Sequence, residues 1–229
     1  MRTIKKVASH IFIDGFGGMT QGLFATLIIG TMIQQIGLLI GGSTGNVIYL
    51  LGKAAAALTS AGIGVGVAVK YGESPLVTVS AAVAAMVGGY AGKITGGTFF
   101  VDGNAVLAGP GEPLGAFIAA FAGITCGHLV SGKTKVDIIV TPVITIGAGS
   151  VVGLLVGPPI SHMMTGLGSI INWATEQRPF IMGIVVSVVM GMVLTLPISS
   201  AALGIILNLS GLAAGAATIG CCCNMVGFA

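Results

Sequence analysis

The chain has 229 residues, of which 55% are hydrophobic and 7% are charged, whereas soluble domains average about 25% charged residues. The formal net charge is +3 and the mean hydropathy is +1.07, so the composition excludes an ordinary soluble domain and predicts an integral membrane protein in a lipid bilayer. The few basic residues form no patch of the kind that binds nucleic acid.

The first 16 residues carry Arg2, Lys5 and Lys6 ahead of a short apolar stretch. Asp14 interrupts that stretch and no small-residue cleavage site follows, which argues against a signal peptide. Cytoplasmic loops carry an excess of Lys and Arg, and six loop cations fall on the side of this segment against two on the other side. We therefore predict residues 1–16 to be an amphipathic lead-in, with the N-terminus in the cytoplasm.

The uncharged intervals of the chain set the number of membrane crossings, because a helix needs about 20 residues to cross the hydrocarbon. Four uncharged intervals, in chain order, hold 38, 19, 20 and 38 residues, and a fifth of 51 residues follows Arg178. Only helices and closed barrels satisfy their backbone in lipid, and the alternation of barrel strands is missing. We predict residues 1–229 to form one all-α, polytopic transmembrane helix bundle with segments at 17–40, 47–69, 74–91, 113–131, 137–157, 180–196 and 200–219.

The 39 glycines are expected to serve helix packing, because small residues let helices in lipid approach closely. Closely spaced glycines predict four such seams, at Gly62–Gly66, Gly88–Gly92, Gly149–Gly157 and Gly211–Gly215.

A polar, turn-rich stretch from Phe99 to Phe117 interrupts the apolar sequence between the third and fourth segments. It contains Asp102, Asn104 and Glu112, with glycines and prolines typical of turns. A solvated loop is one interpretation. Since the stretch is otherwise apolar, we favour a loop that folds back to cap a cavity, where these three side chains bind a hydroxylated solute.

Two predicted helices contain a proline flanked by hydroxyl side chains, at Pro142 and Pro197. Proline removes a backbone donor, and transporters build solute sites from helices broken in this way. A simple kink and a functional break are equally compatible with Pro142. For Pro197 we favour a functional break lined by the polar residues that follow it, which are Ser199, Ser200 and Asn208.

The segment from Pro158 to Phe180 combines Trp173, suited to a membrane interface, with Glu176 and Arg178. Its polar groups are compatible with an interfacial helix. A solvated loop and an inward-turned Glu176 that acts as a solute ligand are both open.

The four cysteines are Cys126 and the triplet Cys221–Cys223. Packing as small apolar residues is the favoured interpretation, and a soft-metal or redox role is the alternative. No cysteine and histidine spacing of a metal site accompanies them, so we predict no cofactor, no metal and no catalytic residues.

Four stretches carry a resemblance to a known family: Gly22–Gly37, Ser131–Ile146, Ala174–Ile205 and Leu209–Cys222. They resemble the membrane subunit IIC of the bacterial phosphotransferase system, in the stand-alone branch called EIIC type 2. The resemblance implies a multi-pass helical permease of the bacterial cytoplasmic membrane, a homodimer, and a cytoplasmic IIB partner. Members of this branch continue past the region around Cys221, so this chain is expected to be a short or truncated member.

The function expected from these observations is translocation of a small hydroxylated solute, a sugar, by alternating access. Any phosphorylation would require separate IIA and IIB partners. The alternative is a membrane protein that moves no sugar: a transporter or channel for an ion, a metal or an organic acid, or a regulatory membrane protein.

Overall fold

The computed structural model describes residues 14–101, 104–105, 109–194 and 209–228. It confirms the predicted all-α class. The chain divides into two compact units, Met1–Ile160 and Ser161–Ala229.

The described secondary structure consists of helices and one short hairpin. A two-residue hairpin pairs β1 (Phe100–Val101) with β2 (Asn104–Ala105), and Val101 stands opposite Asn104. The helices are α1 (Phe16–Ile40), α2 (Gly42–Ala57), α3 (Thr59–Lys70), α4 (Pro75–Gly89), α5 (Ala91–Thr95), α6 (Pro113–Val130), α7 (Asp137–Gln177), α8 (Pro179–Leu194) and α9 (Gly211–Phe228).

Three of these helices contain a stretch long and apolar enough to cross a membrane: Phe16–Ile40, Pro113–Val130 and Asp137–Met163. The bent pair formed by α2 and α3 brings the number to four in the part of the chain that the structure describes. By length and composition, the described helices fit the polytopic membrane bundle that the sequence predicts.

The second predicted segment, 47–69, is not one straight helix. It is divided between α2 and α3, which meet at Leu58 with a bend of 52°. We call Leu58 the helix break. The antiparallel neighbour α1 contains a π-helical turn, Phe24–Ile28, and this turn packs against α2 and α3.

Glycine seams hold α1 against α2 and α3, a role that the sequence interpretation assigned only to Gly62–Gly66. Gly18 lies against Gly66, and Gly37 lies against Gly45. A Cβ atom at Gly18 or Gly37 would overlap the backbone of the opposite helix, so these contacts require the smallest residue and bring the two backbones together.

Two more of the predicted seams are also present. Gly88 lies against Gly115, and Gly153 lies against Gly88. Gly211–Gly215 forms no seam within the described part of the chain, because no atom there lies within 4 Å of a Cβ at either end of that motif. In the second unit α8 and α9 instead meet at Gly220, which lies against the Ser187 backbone.

Two predicted segment boundaries are also wrong. Helix α7 continues through Pro142, Pro158 and Pro159 as far as Gln177, beyond the predicted end at 157. Pro142 lies in the second turn, where it costs one backbone hydrogen bond, and Thr145, packed against Gly127, anchors the next turn. The last helix, α9, spans Gly211–Phe228 instead of 200–219, and Pro197 lies outside the described residues.

Candidate functional site around Glu112

Glu112 precedes the first residue of α6, and its backbone is fixed from both sides. Its amide donates to Gly89 O at 2.7 Å, which ties it to the end of α4. Its side chain caps α6 by accepting the Leu114 amide at 3.4 Å. Pro113 suits the first helical position, because its missing N–H would have no helical partner there.

Residues 109–112, which we call the docked turn, fold back onto the first unit. The Ser60 hydroxyl donates to Pro110 O at 3.0 Å, and the Tyr90 hydroxyl donates to Gly109 O at 2.5 Å. Together with the Glu112 amide, these bonds attach the turn to α3, to the end of α4 and to Tyr90. For these residues the structure therefore agrees with the expectation of a loop that folds back on the bundle.

Gly111 is required for this close approach. Its φ of +75° is in the left-handed region, and a Cβ atom would lie 2.5 Å from Ser60 Oγ and 3.1 Å from Gly89 O. A larger residue would therefore strain the backbone and push the turn away from α3.

The Glu112 carboxyl group is poorly satisfied. The one ion pair among the described residues joins Glu73 and His128, so no cation in that part of the chain neutralises Glu112, and its hydrogen bond to Leu114 is long. Burial raises the pKa of Glu112 to about 7, and the Leu114 amide offsets only part of that shift. A carboxyl group in this state can accept further hydrogen bonds from a ligand.

The helix break lies beside the docked turn. Thr59 and Ser60 follow it at once and are fully buried, and Thr59 Oγ1 donates to Ala56 O at 2.6 Å. The Tyr90 hydroxyl lies 3.5 Å from Ala57 O. The sequence interpretation missed this break because neither proline nor glycine marks it; the adjacent hydroxyl pair Thr59–Ser60 is the only local signal.

An aromatic and basic cluster flanks the turn. The Tyr90 side chain is 1% exposed, and its ring packs at 5.5 Å from the Phe99 ring. The Lys93 ammonium lies over the Tyr90 ring, 5.3 Å from its centroid, where the ring face attracts a cation. The site therefore combines an acid, a hydroxyl and a cation at one end of α4 and α6.

The other predicted site residues are placed as follows. Asn104 belongs to strand β2, in the same connection as Glu112. Glu176 is exposed on the last turn of α7, in the second unit. Four predicted ligands lie outside the described residues: Asp102, Ser199, Ser200 and Asn208.

The opposite end of α4 and α6 is satisfied internally. Glu73 Oε1 lies 2.9 Å from His128 Nδ1, and the Ser74 and Ser131 hydroxyls are 3.0 Å apart. The Asp137 carboxylate accepts the Gly132 amide at 2.9 Å.

The four cysteines are free thiols. Cys221 is half-buried against α8, with Sγ 3.8 Å from Met190 O, whereas Cys222 and Cys223 are exposed. Across the described ranges, no three His, Cys, Asp or Glu side chains lie close enough together to hold a metal ion.

The apolar spans define an integral membrane protein. The family model described as "Phosphotransferase system, EIIC" matches residues 13–229, and the chain belongs to this family, as its resemblance to EIIC type 2 predicts. No curated protein and no solved structure gives a significant match.

Proposed function

We propose that this chain translocates a small hydroxylated solute, a sugar, across the cytoplasmic membrane by alternating access, and that Glu112 is its principal ligand. The observation that carries the proposal is the half-buried Glu112 carboxyl group, which has one long hydrogen bond and no cationic partner in the described chain. Buried acids in membrane proteins are commonly functional.

Hydroxyl groups of a sugar are suitable partners for this acid. A carboxylate offers about four lone-pair sites, and the Leu114 amide occupies only one of them. A hydrogen bond to a charged group contributes about 1.5–3 kcal/mol when water is displaced. About three acceptor sites therefore stay open to the hydroxyl groups of a sugar.

Further ligands are proposed from the sequence. Asp102 and Asn104 share the connection that ends in the docked turn. Glu176 and the polar residues after Pro197, namely Ser199, Ser200 and Asn208, complete the proposed set.

The proposed setting follows the family. The N-terminus lies in the cytoplasm, two copies form a homodimer, and a cytoplasmic IIB subunit receives the solute for phosphorylation. The positive-inside distribution of Lys and Arg supports this orientation.

The experiment is a thermal-stability screen of the purified full chain in detergent against hexoses, pentoses and hexitols. We expect at least one of these compounds to raise the Tm of the wild type and to leave the Tm of Glu112→Gln unchanged. Glu73→Gln is the matched control, because it alters an acid at the far end of the same helices, and it should keep the response.

Two results would overturn the proposal. A solute that stabilises Glu112→Gln as well as the wild type would remove Glu112 from the site. A wild type that responds to none of these polyhydroxylated compounds would reject the sugar as substrate class.

A further inference from the structure

The docked turn and the helix break are adjacent irregular elements, and one side chain contacts both. Tyr90 Oη lies 2.5 Å from Gly109 O in the docked turn and 3.5 Å from Ala57 O at the helix break. A phenol has a single proton to donate. These two carbonyls therefore compete for one hydrogen bond.

We propose that Tyr90 is a positioning residue that couples the docked turn to the helix break. In the structure its proton goes to the nearer acceptor, Gly109. When the turn leaves, the proton turns to Ala57 O, so the hydroxyl is never left unpaired. The position of the turn and the geometry of the break are then linked, and each biases the other.

The surroundings of Tyr90 suit this role. The side chain is buried, and the Phe99 ring and the Lys93 ammonium restrict its ring. The hydroxyl can then redirect its proton by rotation about one bond, without displacement of the ring.

The helix break is also placed where a hinge would act. The π-helical turn Phe24–Ile28 packs on both helices that meet at Leu58, and π-helical turns inside α-helices occur frequently at functional sites. The part of α1 that follows the π-helical turn, Ile29–Ile40, packs chiefly on α2. A change of the bend at Leu58 would therefore move these two segments together.

The coupling would let solute binding at Glu112 change the helix geometry, and this role rests on the proposed function. The coupling itself does not rest on it, because the docked turn and the helix break are linked without solute. A measurement on the solute-free protein therefore tests the coupling separately from the sugar proposal.

The experiment is amide hydrogen exchange of the full chain in nanodiscs, without solute, in the wild type and in Tyr90→Phe. Two amides report: Glu112, bonded to Gly89 O, and Gly62, bonded to Leu58 O across the break. We expect exchange at both to accelerate about tenfold in Tyr90→Phe. Tyr49→Phe, in α2 away from the turn, is the matched control and should leave both rates unchanged.

Ser60→Ala supplies a second, independent test. It removes the bond to Pro110 O but keeps Tyr90, so the turn should leave more often and Tyr90 should donate to Ala57 O more often. Exchange should therefore accelerate at Glu112 and slow at Gly62. The proposal is overturned if Tyr90→Phe changes only the Glu112 amide or neither amide. It is equally overturned if Ser60→Ala accelerates exchange at Glu112 and leaves Gly62 unchanged or accelerated.

Discussion

Glu112 and Glu73 lie at opposite ends of the same helix pair, α4 and α6, and the protein satisfies them in opposite ways. Glu73 has a histidine partner at 2.9 Å, whereas Glu112 has a single backbone donor at 3.4 Å. The first arrangement is complete without a ligand. The second leaves acceptor capacity of a half-buried carboxyl group unused, which is costly unless a ligand or a proton fills it.

The two ends also differ in how tightly their turns are held, and two glycines with nearly the same backbone conformation measure that difference. Gly111 has a φ of +75° and Gly132 a φ of +73°, but only Gly111 has atoms within 4 Å of a Cβ position. Gly132→Ala should therefore cost only the backbone strain, about 1–2 kcal/mol.

Gly111→Ala is expected to destabilise the protein most, because overlap with Ser60 adds about 1–3 kcal/mol to the same strain. The measurement is the free energy of unfolding of both variants in detergent. Equal losses at the two positions would contradict the docked turn.

The second-largest effect is expected in the pH dependence of stability, which should distinguish Glu112 from Glu73. The folded-state pKa of Glu112 is raised from 4.5 to about 7, so the folded state binds more protons than the unfolded state between these values. Stability contributed by this group is therefore lost as pH rises from about 4.5 to about 7. Partial exposure keeps the full loss to roughly 3 kcal/mol at most.

Thermal unfolding of the wild type and Glu112→Gln between pH 4 and pH 8 measures this contribution. The stability of Glu112→Gln relative to the wild type should increase as pH rises and become constant above about pH 7. A difference between the two proteins that does not change with pH would show that Glu112 is not buried as described.

The smallest effect is expected at the other end of the pair. The His128 side chain is 70% exposed, although the Glu73 side chain is only 10% exposed, and an ion pair with one partner in water contributes about 0–1 kcal/mol. His128→Ala should thus lower the unfolding free energy by less than about 1 kcal/mol and leave the response to solute intact. A loss as large as that of Gly111→Ala would make the two ends energetically equivalent.

The sequence predicted the class of fold because charge spacing and hydropathy are properties that hydrocarbon dictates directly. Most helices fall near the predicted segments, and Glu112 could be singled out as an acid in an otherwise apolar connection. The bend at Leu58 could not be predicted, because it arises from packing and carries no proline or glycine.

Pro142 is the opposite case: the sequence left a kink and a functional break equally open there, and the helix continues through it. A proline removes one hydrogen bond, and tertiary packing outweighs that cost at this position. The partners of the docked turn, Ser60 and Tyr90, are distant in sequence from Glu112, so only the folded chain brings them together.

The most direct measurement is peptide mapping after reaction with dicyclohexylcarbodiimide, which modifies protonated carboxyl groups in apolar surroundings. Glu112 should be modified far more than Glu73, less as pH rises through about 7, and less again when the solute found in the thermal screen is bound. Equal modification of the two acids, or no protection of Glu112 by that solute, would contradict its role as the solute ligand.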